Sequence, residues 1–391
     1  MSTASAATSY RALFAEPVLR RLAVADAFAR LPQGMVSITV LLVAAEHASM
    51  AVAGLAVAGY TLGQAVTGPV RGRLADRHGL VPVAAACGTG YALALLALLA
   101  GATAGAPAGL LIATAAAAGL VNPPLSPGLR SLWSVHAGAG LAQTAFALDA
   151  AVMNLGYIAG PVLASALAAG LAPAAALGLL LALTGAATAI IGRQPHRPQP
   201  PPARAPRALA SPGLRRLMLT AALVNAALSA SEVALTGYVR HHHALWASGP
   251  LLAEVSIGSI LGSLLLGARS GTGARSLLAG YAAGLALLTA AGLDAPLLAV
   301  AAPLAGFCLG PALAALFGQA AGAAPPGGGT ETQAWLNSIM NAGGAAGAAL
   351  AGLASRQPVL ALGLSFALAA AAATCAGNGS GDTEARTSPV R

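Results

Sequence analysis

The sequence predicts an all-α membrane protein: twelve helices crossing a bilayer in two bundles of six. Three observations predict it. Of the 391 residues, 57% are hydrophobic and only 8% are charged, against about 25% charged in an average soluble protein. The apolar residues fall into twelve stretches, each long enough to cross as a helix. The two halves of the chain repeat one another.

The shortage of charge excludes a soluble fold, which needs polar residues to cover its outside, and equally excludes disorder. The apolar stretches fall at about 22–45, 50–70, 80–101, 107–129, 140–168 and 173–192, then at 214–238, 248–268, 274–293, 295–318, 332–354 and 358–376. About 20 apolar residues span a bilayer as a helix. None of the runs alternates apolar with polar residues, which excludes a closed barrel. Residues 1–18 are polar and lack an apolar core, so no cleavable signal peptide is expected and the first span directs insertion.

Arginine placement orients the spans. With the N-terminus in the cytoplasm, the arginines at 11, 20, 21, 71, 73, 77, 130, 193, 197, 204, 207, 215, 216, 269, 275, 386 and 391 all fall inside. Only Arg240 and Arg356 fall outside, and Arg30 lies within a span. Both termini are therefore expected in the cytoplasm, in the plasma membrane or bacterial inner membrane. The stretch Gln194–Pro206 is the longest polar connection, and its prolines favour an extended segment. It divides the chain into 1–193, a cytoplasmic linker at 194–212, a second bundle at 213–377 and a disordered tail at 378–391.

The repeat is the most informative feature. A shift of 195 residues places Leu19-Arg20-Arg21-Leu22 on Leu214-Arg215-Arg216-Leu217, and Gly63 on Gly258. A shift of 187 places Gly119 and Pro124 on Gly306 and Pro311, and Met153-Asn154-x-Gly156-x-x-x-Gly160 on Met340-Asn341-x-Gly343-x-x-x-Gly347. Six spans per half is an even number, so both halves enter the membrane in the same sense. That is a parallel repeat about an axis along the membrane normal.

Several function classes drop out. The net charge of +9 carries no basic patch with interleaved aromatics, so no nucleic-acid partner is expected. There is no lysine, hence no Walker-type phosphate loop and no lysine Schiff base. No HExxH, GxSxG or CxxC motif occurs, so neither an enzyme nor a metal or other cofactor is expected. His241-His242-His243 has no further ligand nearby. Cys87, Cys308 and Cys375 read as small buried hydrophobes, and Trp133, Trp246 and Trp335 as anchors at the membrane interface.

Ionisable residues within spans are functional candidates by default. Asp26, Arg30, Gln33 and Ser37 lie at i, i+4, i+7 and i+11, on one helical face. Asn225, Ser229, Glu232 and Thr236 repeat that spacing in the seventh span. The two stripes are expected to face one another across a central cavity. Asp26 can pair with Arg30, and Asp149 with Arg130. Glu232 has no basic residue within a helical turn, which makes it the leading proton-binding candidate, followed by Asp26 and Asp149.

Two motifs add a resemblance. Gly72-Arg73-Leu74-Ala75-Asp76-Arg77-His78-Gly79, between the second and third spans, resembles the signature loop of the major facilitator superfamily. It departs at Leu80 and Val81, where a basic pair is usual. Gly156-x-x-x-Gly160-Pro161 resembles the fifth-span motif of that family's antiporters. Its copy keeps Gly343 and Gly347 but has Ala348 in place of proline. The resemblance implies that Asp76, with Gly72, Arg77 and Gly79, locks the cytoplasmic side in one conformation. The partial positive charge at the start of the eleventh span gives the aspartate somewhere to dock. It also implies proton-coupled efflux of a small organic molecule by a monomer, its partners being the bilayer, the substrate and protons. An uptake permease, or less readily a membrane sensor or scaffold that moves nothing, are the alternatives.

Overall fold

The structure is a computed structural model, and it describes residues 3–46, 48–193, 211–241, 248–266, 273–290, 295–354 and 357–376. The described residues form helices and no strand. The linker from Gln194 to Ala210, the histidine pair His242-His243, the loop Gly267–Thr272 and the tail from Gly377 lie outside the described residues.

Fifteen helices occur among them. They are α1 (Thr3–Ala15), α2 (Pro17–Ala45), α3 (Met50–His78), α4 (Leu80–Thr103), α5 (Ala108–Leu120), α6 (Leu125–His136), α7 (Gly138–Gly170) and α8 (Pro173–Gly192). After the linker come α9 (Pro212–His241), α10 (Ser248–Leu266), α11 (Ala274–Ala290), α12 (Ala295–Phe307), α13 (Leu309–Gly322), α14 (Gly329–Leu353) and α15 (Pro358–Cys375). Every apolar stretch of the sequence holds helix. Two of them hold a pair, because the fourth stretch breaks between α5 and α6 and the tenth between α12 and α13. At the first break Pro123 and Pro124 supply no amide hydrogen to continue the ladder. Helix α1 is the one element outside the apolar stretches. Its Leu13 is fully buried, which ties the polar N-terminus to the bundle.

Seven described spans are long and apolar enough to cross a membrane, two of them being the pairs α5–α6 and α12–α13. Helices α3 and α14 are as long but carry polar and charged residues over part of their length. α3 carries Gln64, Arg71, Arg73, Asp76 and Arg77, and α14 carries Glu331, Gln333, Asn337, Ser338 and Asn341. Much of that polarity is turned towards protein, because the two helices pack on each other.

Burial is inverted relative to a water-soluble protein. Leu62, Val66, Leu93 and Val162 are each about two-thirds exposed, whereas Asp26, Arg30, Arg130 and Asp149 are almost wholly enclosed. An apolar rim around a charged interior is what a lipid solvent selects. Trp133 departs from its expected interfacial place. It is fully buried in the main core cluster, and the three cysteines are free and half-buried.

The sequence repeat is also a repeat of packing. In the first half α2 packs on α7 and α8, and α3 on α5. In the second half α9 packs on α14 and α15, and α10 on α12. The close approaches recur at the same offsets. A Cβ on Gly119 would collide with the Tyr60 carbonyl, and one on Gly306 with that of Val255. A Cβ on Gly63 would collide with the carbonyl of Ala116, and one on Gly258 with that of Pro303. Each second-half contact is the first-half contact moved by 195 residues on one helix and 187 on the other.

The fifth- and eleventh-span glycines do the same work. Gly156 and Gly160 lie against the backbone of α2 at Arg30 and Gly34, while Gly343 and Gly347 lie against α9 at Ala222 and Ala226. Helix α7 runs unbroken through Pro161, whose ring costs one backbone hydrogen bond.

Candidate functional site

The signature segment 72–79 is not a loop. Helix α3 continues to His78, and only Gly79 leaves it, at φ 94. That places Asp76 in the last turn of α3, facing the first turn of α14. Its Oδ1 accepts from the Thr330 amide at 3.0 Å and its Oδ2 from the Glu331 amide at 2.8 Å. These are amides with no partner inside their own helix, and the helix dipole adds favourable charge. Beside them Arg73 grips Glu331 through Nε at 3.0 Å and Nη2 at 2.5 Å. Burial pushes the Asp76 carboxyl up from its ordinary value, opposed by the amide donors, and the bonds to Glu331 raise Arg73. Gly72 is buried against Thr330, Glu331 and Ala334, with no room for a Cβ. Arg77 is exposed and takes no part in the contact.

Further along the same two helices, Ser338 donates to the Ala65 carbonyl at 2.8 Å. The halves are thus joined at the arginine-rich end of the molecule. Replacing Asp76 with Asn removes the charge and one acceptor. Hydrogen bonds to charged groups contribute about 1.5–3 kcal/mol each, so Asp76→Asn is expected to open this end. A cysteine installed by Ser338→Cys, with the three native cysteines removed, should react with maleimide at least severalfold faster in the Asp76→Asn background.

Deeper in the molecule lies a four-residue ion cluster. Arg30 bonds Asp26 at 3.2 Å and pairs closely with Asp149. Arg130 bonds the other Asp149 oxygen at 2.9 Å. Two acids and two bases balance, as a low-dielectric interior requires. Arg130 also reaches the second half. Its Nη1 donates to Asn337 at 2.7 Å, and its guanidinium carbon stands 3.4 Å from the centre of the Phe317 ring. Phe317 is the repeat equivalent of Arg130, at a shift of 187, and Leu336 is that of Asp149. The charge layer therefore belongs to one half and meets an apolar counterpart in the other.

A cavity of about 380 Å³ lies between the halves, within the size range of small-molecule sites. Of the first polar stripe only Gln33 lines it. Asp26 and Arg30 are drawn instead into the packing against α7 by Asp149, and Ser37 is exposed. The stripe runs about 16 Å along its helix, which is longer than the region it was expected to share. Of the second stripe Asn225, Ser229 and Glu232 all line the cavity, opposite Asn154 and Tyr157 of α7. The side chain of Thr236 lies outside the described residues. Glu232 is exposed to this space although it stands deep among the helices. Asp149 makes the pair with Arg130 that its sequence allows and is held by Arg30 as well.

Arg130 is the functional candidate the sequence missed. Its arginine reads as one more topology-setting charge at a span end, and only the chance of a bond to Asp149 hinted otherwise. The break at Val121–Pro124 turns α6 inward and makes that charge central.

Among the described residues no group of acids, histidines and cysteines has the makings of a metal site. A bundle of lipid-facing helices around a polar cavity, closed at one end by a helix-dipole clamp, defines a polytopic membrane transporter. The family signature of the Major Facilitator Superfamily matches residues 22–348, and the chain belongs to that family. No curated protein matches the sequence. Among solved structures the human organic anion transporter MFSD10 (TETRAN) aligns at 18% identity, TM-score 0.70, over 92% of this chain and 100% of its own. A bacterial homologue of the iron transporter ferroportin, in an outward-facing state, aligns at 16% and TM-score 0.74, over 91% and 97%. A point variant of the E. coli fucose:proton symporter FucP aligns at 13% and TM-score 0.70, over 91% and 98%. At these identities the likeness is one of fold.

Proposed function

We propose that this protein is a proton-coupled secondary transporter that exports a small organic molecule by alternating access. Twelve spans form two six-helix bundles, residues 1–193 and 213–377, joined by a cytoplasmic linker at 194–212, with both termini cytoplasmic. The bundles rock about the central cavity of a monomer in the plasma or bacterial inner membrane. The clamp of Asp76 on α14 holds the cytoplasmic side shut in the state described above.

The observation that carries this reading is Glu232 at the wall of the inter-half cavity. A carboxylate facing an enclosed polar space can take a proton from one side and release it to the other. The Asp26–Arg30–Asp149–Arg130 cluster lies beside the cavity, which Arg130 lines. The solved neighbours are named for an organic anion, for iron and for fucose with protons. One fold with three cargoes leaves the cargo to be read from this chain's own site.

Reconstituted vesicles with an imposed pH gradient test the coupling. Protein oriented as in the cell should move substrate against its gradient when protons run the other way. Glu232→Gln is expected to lose gradient-driven accumulation by at least tenfold while still binding substrate. If Glu232→Gln accumulates substrate like the parent, the proton travels elsewhere.

A further inference from the structure

One buried charge is not used by the transport reading. Arg71 lies on α3, one residue before the buried Gly72 of the clamp, and is only 6% exposed. The other three buried or clamped arginines, Arg30, Arg73 and Arg130, each hold a carboxylate. No described carboxylate lies within ion-pair distance of Arg71. Among the described residues its single hydrogen bond is from Nη2 to the Gln64 carbonyl at 2.9 Å, and its buried Nε has no partner. The titratable groups that act on it are Cys87 and Tyr60, both uncharged near neutral pH. An isolated buried guanidinium is costly, so its persistence calls for a counter-charge.

Arg71 lines a side chamber of about 70 Å³ between α2, α3, α4, α6, α8 and α14. Other polar groups border it, Tyr60, Tyr91, Asn122, Ser126 and Ser338, of which Asn122, Ser126 and Ser338 donate to the Tyr60 hydroxyl, the Gln33 carboxamide and the Ala65 carbonyl. The chamber shares Gln33, Gln64, Asn337 and Asn341 with the central cavity, so the two spaces adjoin at those side chains. It suits one small anionic group. Anything larger must extend into the central cavity.

We propose that Arg71 and the side chamber hold the anionic end of the cargo, a carboxylate-sized group, while the rest of the molecule occupies the space beside Glu232. The cargo class is then an organic anion. A guanidinium is suited to this task because its planar fork matches a carboxylate with two parallel hydrogen bonds. Ala334, Asn337, Ser338 and Asn341 of α14 wall the chamber, so separation of α14 from α3 would uncover it. This rests on the transport reading for the word cargo, but the binding itself does not depend on Glu232 or on protons.

The test is binding to the purified full-length protein in detergent, read as the shift of melting temperature at constant ionic strength. The probes are chloride, acetate, 4-phenylbutyrate and the uncharged 4-phenylbutanamide. Acetate is expected to stabilise the parent saturably, and 4-phenylbutyrate to do so at a concentration at least tenfold lower. The amide should have no such effect. Arg71→Gln should abolish the response to both carboxylates, and Arg71→Lys should restore part of it. Without any probe, Arg71→Gln should melt higher than the parent, since it removes an uncompensated charge, and that readout also reports that the variant folds.

An unaltered acetate response in Arg71→Gln, or none in the parent, would overturn the site. Equal binding of 4-phenylbutyrate and acetate, or chloride tighter than both, would assign the chamber to a free small anion and overturn the assignment to cargo. Loss of transport in Glu232→Gln vesicles bears on neither result, so the two readings fail separately.

Discussion

Replacing Asp149 with Asn is expected to destabilise the protein by about 3–5 kcal/mol, the cost of leaving a buried charge without its partner. Asp149 is bonded by both Arg30 and Arg130, and all three side chains are almost fully enclosed. Without it Arg30 retains Asp26, but Arg130 is left with an amide, a thioether and a ring. The midpoint of thermal unfolding in detergent should fall sharply.

The second half of the molecule supplies the control. At the equivalent positions it carries Phe317 and Leu336, both buried, so the repeat tolerates an uncharged layer there. The pair Arg130→Phe with Asp149→Leu is therefore expected to recover most of the stability that Asp149→Asn loses. Transport should not return, because the link from Arg130 to Asn337 is gone. A double variant as unstable as the single one would show that the charges are needed for packing, against this account.

The second large effect is steric. A Cβ on Gly156 would stand 2.8 Å from the Arg30 carbonyl oxygen, and one on Gly343 would collide with the Ala222 carbonyl. In each case the obstacle is backbone, which cannot rotate away. Gly156→Val and Gly343→Val should each cost about 3 kcal/mol, at the upper end for overpacking, and give aggregated protein on size-exclusion chromatography. Gly185→Val, with nothing within 4 Å, should be within about 0.5 kcal/mol of the parent. Similar behaviour at all three positions would mean that small residues here serve composition rather than contact.

These glycines were legible in the sequence because a repeated pair four residues apart is hard to obtain by accident, even in a chain with 48 glycines. Asp76 was legible for the same kind of reason: a short motif at a fixed place between two apolar runs. The polar stripe of α9 was also readable, since the 3.6-residue period puts Asn225, Ser229 and Glu232 on one face.

The stripe of α2 was misread in part. Periodicity reports which residues share a face, but not what that face meets, and Asp26 and Arg30 meet α7 rather than the cavity. Arg130 and Arg71 were hidden because each follows an apolar run, where arginine usually sets topology. Only their depth and partners separate them from the other arginines. Trp133 was misplaced for the same reason. Nearness to a span's end in sequence does not tell which way a broken helix turns.

The clamp at the arginine-rich end has two chemically unlike jaws. One is a side chain, the carboxylate of Asp76. The other is the peptide backbone at Thr330 and Glu331, and any residue type except proline presents the same N–H there. The receiving jaw is therefore nearly immune to mutation. Sequence drift in the first turn of α14 can discard the Arg73 partner yet leave the latch itself intact, so the latch's genetic vulnerability lies on α3, at Asp76 and at the tightly packed Gly72.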